Sequence, residues 1–243
     1  MSESFHIIIP SRLGSTRLPR KPLLEIAGKP MILHVLDRAI EAAMGPVTVA
    51  CDSAEIASVV TAAGGHAVLT DPDLPSGSDR VWQALEHILA AGAAKPDVVI
   101  NLQGDEPLLP VDMLRACRTP FYQSWVDVVT FAHPIYEEAD KHNPNMVKVV
   151  ATSQHQALYF SRALIPYGAQ VAQRHIGLYA YRYDALRQFV QTPPSALEQL
   201  EKLEQLRGLE LGLKYYVGHA AAAPIGVDTP EDLAKVRAIL ESA

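Results

Sequence analysis

Cysteine is nearly absent from this chain. Cys51 and Cys117 are the only two, far apart and without a C-x-x-C neighbour, which argues against a disulfide framework or a cysteine metal site and leaves reduced structural thiols as the expectation. Long apolar runs are missing too: none approaches the ~18 to 20 residues that a membrane-spanning helix needs. The start Met1-Ser2-Glu3-Ser4-Phe5-His6 has neither the basic region nor the apolar stretch of a secretory signal, so a cytoplasmic protein is expected. There is no basic excess. A net charge of -6 argues against nonspecific nucleic-acid binding, which draws most of its energy from neutralising phosphates with Lys and Arg; an anionic ligand would need a local basic pocket. With no internal repeat, low-complexity tract or long linker, a composition 49% hydrophobic and 20% charged over 243 residues suits one large core. A single domain over 1–243 is expected, with an excursion at roughly 125–182.

Hydrophobic patterning predicts an open, mostly parallel α/β sheet. Phe5 to Pro10, β-branched at Ile7, Ile8 and Ile9, reads as a buried strand followed by a basic, turn-rich loop. Pro30 to Met44 has apolar residues near helical period, and Val47 to Cys51 is a second buried strand. The alternation continues with a helix over 54–63, a strand over 66–69, a helix over 79–91 and an apolar strand over 97–102. Strands alternating with helices at this spacing imply right-handed crossovers and helices on both faces. After Pro110 the strand-like runs 127–133, 146–152, 157–162 and 176–182 have few helices between them and predict a mixed or antiparallel region. Ser195 and Glu198 form a capping-box signature, and Thr229-Pro230-Glu231-Asp232 opens a last helix with a cap, a proline and acids in the first turn.

Three segments carry candidate chemistry. Ser11 to Pro22 gathers Arg12, Arg17, Arg20 and Lys21 around Gly14, Ser15 and Thr16, so that turning backbone amides and cations could together cradle a triphosphate. It matches neither the Walker A loop nor the dinucleotide fingerprint, and most charge clusters are solvated basic turns; its place at the end of the first strand, where open α/β sheets bind ligands, brings the functional reading level with that one. Asn101-Leu102-Gln103-Gly104-Asp105-Glu106-Pro107 ends another buried strand. Asp105 there is either a loop acid or one of the one or two carboxylates that magnesium bridged to phosphate takes. Asp228 precedes the last helix and either supports its cap or completes a metal site with Asp105. Smaller signals are the turn Ser76-Gly77-Ser78-Asp79-Arg80 and the polar set Arg162, Arg174, His175, Tyr179, Glu204, Gln205 and Arg207. A strand histidine is more often a satisfied structural residue than a catalyst, and Tyr179 and Tyr181 more often pack than bind.

Taken in order, these segments resemble the 3-deoxy-manno-octulosonate (Kdo) cytidylyltransferases, the CMP-Kdo synthetases, over essentially the whole chain. The resemblance rests on the loop Pro10 to Pro22, G-K-P-M-I at Gly28 to Ile32, S-G-S-D-R at Ser76 to Arg80, N-L-Q-G-D-E-P at Asn101 to Pro107 and N-P-N-x-V-K-V-V at Asn143 to Val150. It continues through Leu158 to Tyr167, R-H-I-G-L-Y-A-Y-R at Arg174 to Arg182, L-E-Q-L-R at Leu203 to Arg207 and G-V-D-T-P-E-D-L at Gly226 to Leu233. The loop and N-L-Q-G-D-E-P recur with variation in many sugar nucleotidyltransferases; the later segments are more specific.

The resemblance implies a Rossmann-like nucleotidyltransferase fold and CMP transfer from CTP to the anomeric hydroxyl of the sugar acid, releasing pyrophosphate, for lipopolysaccharide biosynthesis. It implies that Arg12 and Lys21 hold the triphosphate beside Ser15 and Arg17, that Asp105 and Asp228 hold Mg2+, and that Gln103 with Ser78, Asp79 and Arg80 lines the nucleotide pocket. His175, Tyr179, Glu204 and Gln205 match positions that meet the sugar acid, and a homodimer is expected. Two departures stand out. Arg20 occupies a position that is usually glycine, and only Gly168 to Gln173 separate Tyr167 from Arg174, where some members carry a longer loop with a basic residue near the sugar carboxylate. Arg162 or Arg174 is the expected substitute. The sequence leaves open a related acid such as an amino-Kdo or a sialic acid, and also a noncatalytic nucleotide-binding relative.

Overall fold

The structure, a computed structural model, describes residues 3–14 and 17–242. The chain divides into two compact units, one of Met1–Arg115 with Pro224–Ala243 and one of Ala116–Ala223.

The first unit opens with β1 (Phe5–Ser11), whose Ile7, Ile8 and Ile9 are fully buried, as expected of a strand covered on both faces. A hairpin of β2 (Glu25–Ile26) and β3 (Lys29–Pro30) leads into α1 (Met31–Ala42), which buries Ile32, Val35, Leu36 and Ala39 at helical spacing. Then come β4 (Val47–Cys51), α2 (Ala54–Ala62), β5 (Ala67–Leu69), α3 (Gly77–Ala90), β6 (Val98–Asn101) and α4 (Val111–Ala116). β1 pairs in parallel with both β4 and β6, and β4 pairs in parallel with β5. The spatial order β6-β1-β4-β5 therefore reverses direction between β1 and β6. That reversal is the switch point at which open α/β sheets bind ligands, beyond the carboxyl ends of the strands.

His6, on β1, is buried with Nε2 2.9 Å from Thr48 Oγ1, and Thr48 Oγ1 lies 3.0 Å from His66 Nδ1. Burial, reinforced by His66, lowers the His6 pKa to about 4. The predicted start of α3 at Asp79 moves to Gly77, because the Ser76 side chain caps the helix by accepting from Asp79 N.

The second unit contains β7 (Val128–Ile135), α5 (Glu138–Lys141), β8 (Lys148–Ala151), β9 (Ala157–Ser161), β10 (Ala172–Arg182), α6 (Tyr183–Gln191), α7 (Ala196–Glu201), α8 (Gln205–Glu210) and β11 (Tyr215–His219). β10 runs antiparallel to β7 and β8, β8 antiparallel to β9, and β11 parallel to β7. The mixed character expected after Pro110 is present. The β7–β10 register shifts between Ile176 and Ala180. The capping box at Ser195 and Glu198 is formed.

The last helix, α9 (Pro230–Glu241), belongs to the first unit and carries a second capping box, between Thr229 and Asp232. Val227, Leu233 and Val236 pack into a cluster with Leu18, Ile26 and Met31, and the Arg237 guanidinium donates to Glu25 O at 2.7 and 3.0 Å. Val227 N donates to Asp105 O at 2.9 Å. This seam brings the segment before α9 alongside the segment after β6. Among the described residues no helix is long and apolar enough to cross a membrane.

Candidate active site

At the switch point of the first unit lies a cavity of about 480 Å³. Pro10 to Arg12, Gly14, Arg17 and Lys21 line it from the end of β1 and the loop after it, Gln103 to Asp105 from the segment after β6, Leu74 to Gly77 and Arg80 from the approach to α3 and its first turn, and Asp228 from the segment before α9. Gly104 is required for this closeness: a Cβ there would stand 2.8 Å from Pro10 O.

One lysine ties the three segments together. Lys21 Nζ donates to Asp105 Oδ2 at 2.7 Å and to Asp228 Oδ1 at 3.2 Å, and Arg17 reaches the same Asp228 oxygen at 3.3 Å. Two carboxylates remote in sequence thus share one cation. Arg12 lines the cavity and has no ion pair among the described residues. The basic loop is tethered to the end of β4, where Asp52 accepts from Leu13 N at 3.1 Å. Arg20 adopts left-handed backbone, φ 57° and ψ 29°, just before the 3-10 turn Lys21–Leu23 that presents Lys21. Its guanidinium turns to Glu55 on α2 rather than lining the cavity. Ser15 lies outside the described residues.

The Ser78 to Arg80 turn divides by role. Ser78 is buried behind the cavity, where Asn101 Nδ2 donates to its hydroxyl at 3.4 Å and Gln103 Nε2 donates to Asn101 Oδ1 at 3.3 Å. Gln103, which does line the cavity, is thereby held from behind. The Asp79 carboxylate accepts from Ser76 Oγ at 2.7 Å, within the α3 cap. Arg80 borders the cavity but is only 3% exposed, and its guanidinium donates to Thr70 Oγ1 at 2.5 Å, Asp71 O at 3.2 Å and Pro72 O at 3.5 Å. It fixes the loop that carries Leu74 and Pro75. Leu74 and Pro75 join the lining beside the Ser76-Gly77 turn, and no pattern in the sequence marks them.

The residues expected to meet a sugar acid all lie in the second unit. Arg162 is committed to backbone: Nε donates to Glu201 O at 2.8 Å, Nη1 to Pro144 O at 2.9 Å and Nη2 to Lys202 O at 3.2 Å. Arg174, on β10, has no hydrogen bond or ion pair from its side chain among the described residues. Tyr179 is buried, its ring stacked on Tyr181 with centroids 5.7 Å apart; burial, then Glu204 and Tyr215, raise its pKa well above the ordinary phenol value. Glu204 and Gln205 begin α8, with Gln205 buried. His175 Nε2 lies 2.9 Å from Thr130 Oγ1, and burial, with Arg174 beside it, pushes the His175 pKa down to about 3. The imidazole is neutral at physiological pH. Two buried lysines also serve loops. Lys148 donates to Asn143 O at 3.0 Å and to Arg162 O, and Lys141 donates to Gln170 O at 2.8 Å and Ala169 O at 3.3 Å, holding the short 168–173 segment.

A doubly wound parallel sheet with a basic loop and paired carboxylates at its switch point is the frame of a nucleotidyltransferase. A family model described as cytidylyltransferase matches residues 6–216. The 3-deoxy-manno-octulosonate cytidylyltransferase of Bradyrhizobium sp. strain ORS 278 is 52% identical over 241 residues, covering 98% of this chain and 97% of the relative. That of Rhodopseudomonas palustris strain BisB18 is 51% identical over 238 residues, covering 96% of each. Among solved structures, a CMP:2-keto-3-deoxy-manno-octonic acid synthetase complexed with CTP superposes with a TM-score of 0.90 at 41% identity, covering 98% of this chain and 99% of that one. A nucleotidyl transferase from Methanothermobacter, at 15% identity, covers 99% of each chain with a TM-score of 0.66 and shares the fold. The chain belongs to the cytidylyltransferase family and, within it, to the 3-deoxy-manno-octulosonate cytidylyltransferases.

Proposed function

We propose that the protein transfers CMP from CTP to the anomeric hydroxyl of 3-deoxy-D-manno-octulosonate, giving CMP-Kdo and pyrophosphate. The observation that carries this reading is the Lys21 bridge between Asp105 and Asp228 inside a cavity walled by the basic loop. Cations and carboxylates are both needed there, the first for the triphosphate oxygens and the second for a metal ion. The attack on the α-phosphate is a positioning problem with growing oxygen charge. Arg12 offers a planar fork for two phosphate oxygens, and Lys21 a compact charge that follows the leaving pyrophosphate. Gln103, braced through Asn101, faces the nucleotide.

Asp105 and Asp228 fit Mg2+. Two carboxylates close enough to share one ammonium are the donor set that magnesium takes alongside substrate phosphates. The bound ion would supply charge neutralisation at the phosphate and a lower pKa for the attacking hydroxyl. Among the described residues no group of three or more acidic, histidine or cysteine side chains is placed to hold a metal.

For the sugar acid, Arg174 is the better carboxylate partner, because Arg162 already gives its guanidinium to three carbonyls. His175, Tyr179, Glu204 and Gln205 accompany it. A cytoplasmic homodimer completes the reading; its support is the kinship with the 3-deoxy-manno-octulosonate cytidylyltransferases.

Pyrophosphate release from CTP and Mg2+ with a panel of sugar acids tests the proposal. Kdo is expected to give the highest kcat/KM, and replacing CTP by ATP or GTP to abolish most of the signal. Faster turnover with a sialic acid, or equal rates with ATP, would reassign the substrate. Light scattering of the purified protein checks the dimer.

A further inference from the structure

Thr130, on β7, has no assigned role, yet it sits where β10 departs from regular pairing. The register shifts between Ile176 and Ala180, and the fully buried Thr130 hydroxyl fills the irregularity, with Oγ1 3.0 Å from Ile176 O, 3.0 Å from Leu178 O and 2.9 Å from His175 Nε2. A hydroxyl has one proton and two lone pairs. The two carbonyls only accept. If Oγ1 gave its proton to Nε2, both carbonyl oxygens would face its lone pairs at hydrogen-bond distance with no proton between them. If Nε2–H donates to Oγ1 instead, the hydroxyl proton is free to serve the carbonyls, and each contact is compatible.

Other contacts fix the plane of the ring. Phe160 meets it edge-on at 5.0 Å between centroids, and Tyr179 lies tilted against it at 5.4 Å. Nδ1 has no hydrogen-bond partner among the described residues. In a neutral imidazole protonated at Nε2, Nδ1 is an acceptor with a fixed direction.

We infer that Thr130 is a positioning residue: it holds the His175 ring with its proton on Nε2, and so makes Nδ1 a fixed acceptor for a hydroxyl of the sugar acid. The inference rests on the proposed reading of His175 as a sugar-acid residue. It gives His175 a recognition role instead of that of a general base. A donor hydroxyl is selected at that position, and an analogue lacking it is rejected, because it leaves the acceptor unpaired.

Nitrogen-15 NMR of the imidazole signals, assigned to His175 with a His175→Gln control, reads the tautomer directly in the wild-type protein. A single Nε2–H form is expected. Thr130→Val removes the hydroxyl at nearly constant shape and is expected to mix the tautomers and to raise the KM for the sugar acid roughly tenfold, the scale of one lost hydrogen bond. The KM for CTP should stay unchanged. Thr130→Ser, which keeps the hydroxyl, should restore both readouts, and a merely structural role would not move the tautomer. A wild-type Nδ1–H form overturns the inference, even if Thr130→Val fails to fold. So does a Thr130→Val enzyme with an unaltered tautomer or an unaltered KM for the sugar acid. Failure of the underlying reading is distinct: His175→Gln would then leave the KM for the sugar acid unaltered while the wild-type ring still carries its proton on Nε2.

Discussion

Lys21 and Arg12 differ in what they do before substrate arrives, since Lys21 bridges two carboxylates while Arg12 has no ion pair among the described residues. On the proposed reading both stabilise charge on the departing pyrophosphate, so Lys21→Ala and Arg12→Ala should each lower kcat at saturating CTP by ~10- to 1000-fold, the range for lost charge-assisted contacts. Melting temperature should stay nearly constant. Lys21→Ala kinetics in which only the KM for CTP rises would leave Lys21 a binding residue. Asp105→Asn and Asp228→Asn should cut turnover by orders of magnitude while the fold survives; near-normal turnover in either would remove that residue from the metal site. Arg20 is a milder case. Its left-handed backbone costs a non-glycine residue ~1 kcal/mol, whereas its exposed pair with Glu55 contributes only ~0 to 1 kcal/mol. Arg20→Gly should thus shift the melting temperature by a few degrees at most and leave kcat near wild type. The basic loop and the N-L-Q-G-D segment were legible in the sequence because each follows a buried β-branched run. The division of labour among cations was not: Arg80, Arg162, Lys141 and Lys148 look like anion ligands in a string of letters, but each donates to main-chain carbonyls brought near by folding.

The segment before α9 delivers Asp228, and the cap of that helix holds it there. Asp232 Oδ2 accepts from Asp228 N at 3.2 Å, Thr229 N at 3.0 Å and Thr229 Oγ1 at 2.9 Å, while Thr229 Oγ1 accepts from Asp232 N at 3.2 Å. Thr229→Ala should cost ~1 kcal/mol, read as a lower urea midpoint. It should also reduce kcat less than Asp228→Asn does, and Thr229→Ser should recover both. A normal midpoint with the full loss of turnover would instead place Thr229 against the substrate. Gly104→Ala should be worse for stability, ~1 to 3 kcal/mol, because the new methyl meets backbone that cannot step aside. At this scale the sequence told most about the first unit, where period 2 and period 3.6 alternate clearly. The β2–β3 hairpin and β11 escaped notice. Two-residue strands have no period, and β11 is short and broken by Gly218, whose lack of a side chain admits the Phe131 ring: a Cβ there would stand 2.7 Å from it.

Across the whole molecule, the buried imidazole of His6 and the half-buried one of His175 bear on tolerance of acid. The unfolded chain binds a proton at each near pH 6.5, but the folded chain resists protonation until about pH 4 at His6 and about pH 3 at His175. Unfolding below pH 6.5 therefore takes up protons, and mass action then favours the unfolded chain. The stabilisation is fully present above pH 6.5 and is lost as pH falls toward 4, at up to ~1.4 kcal/mol per pH unit for each imidazole. Urea midpoints should fall steadily from pH 6.5 to 5, above the range in which ordinary carboxylates titrate, and His6→Gln should make that fall shallower. Midpoints that stay level down to pH 5 would contradict it. A histidine buried in a strand thus limits how acidic a solution the enzyme can endure.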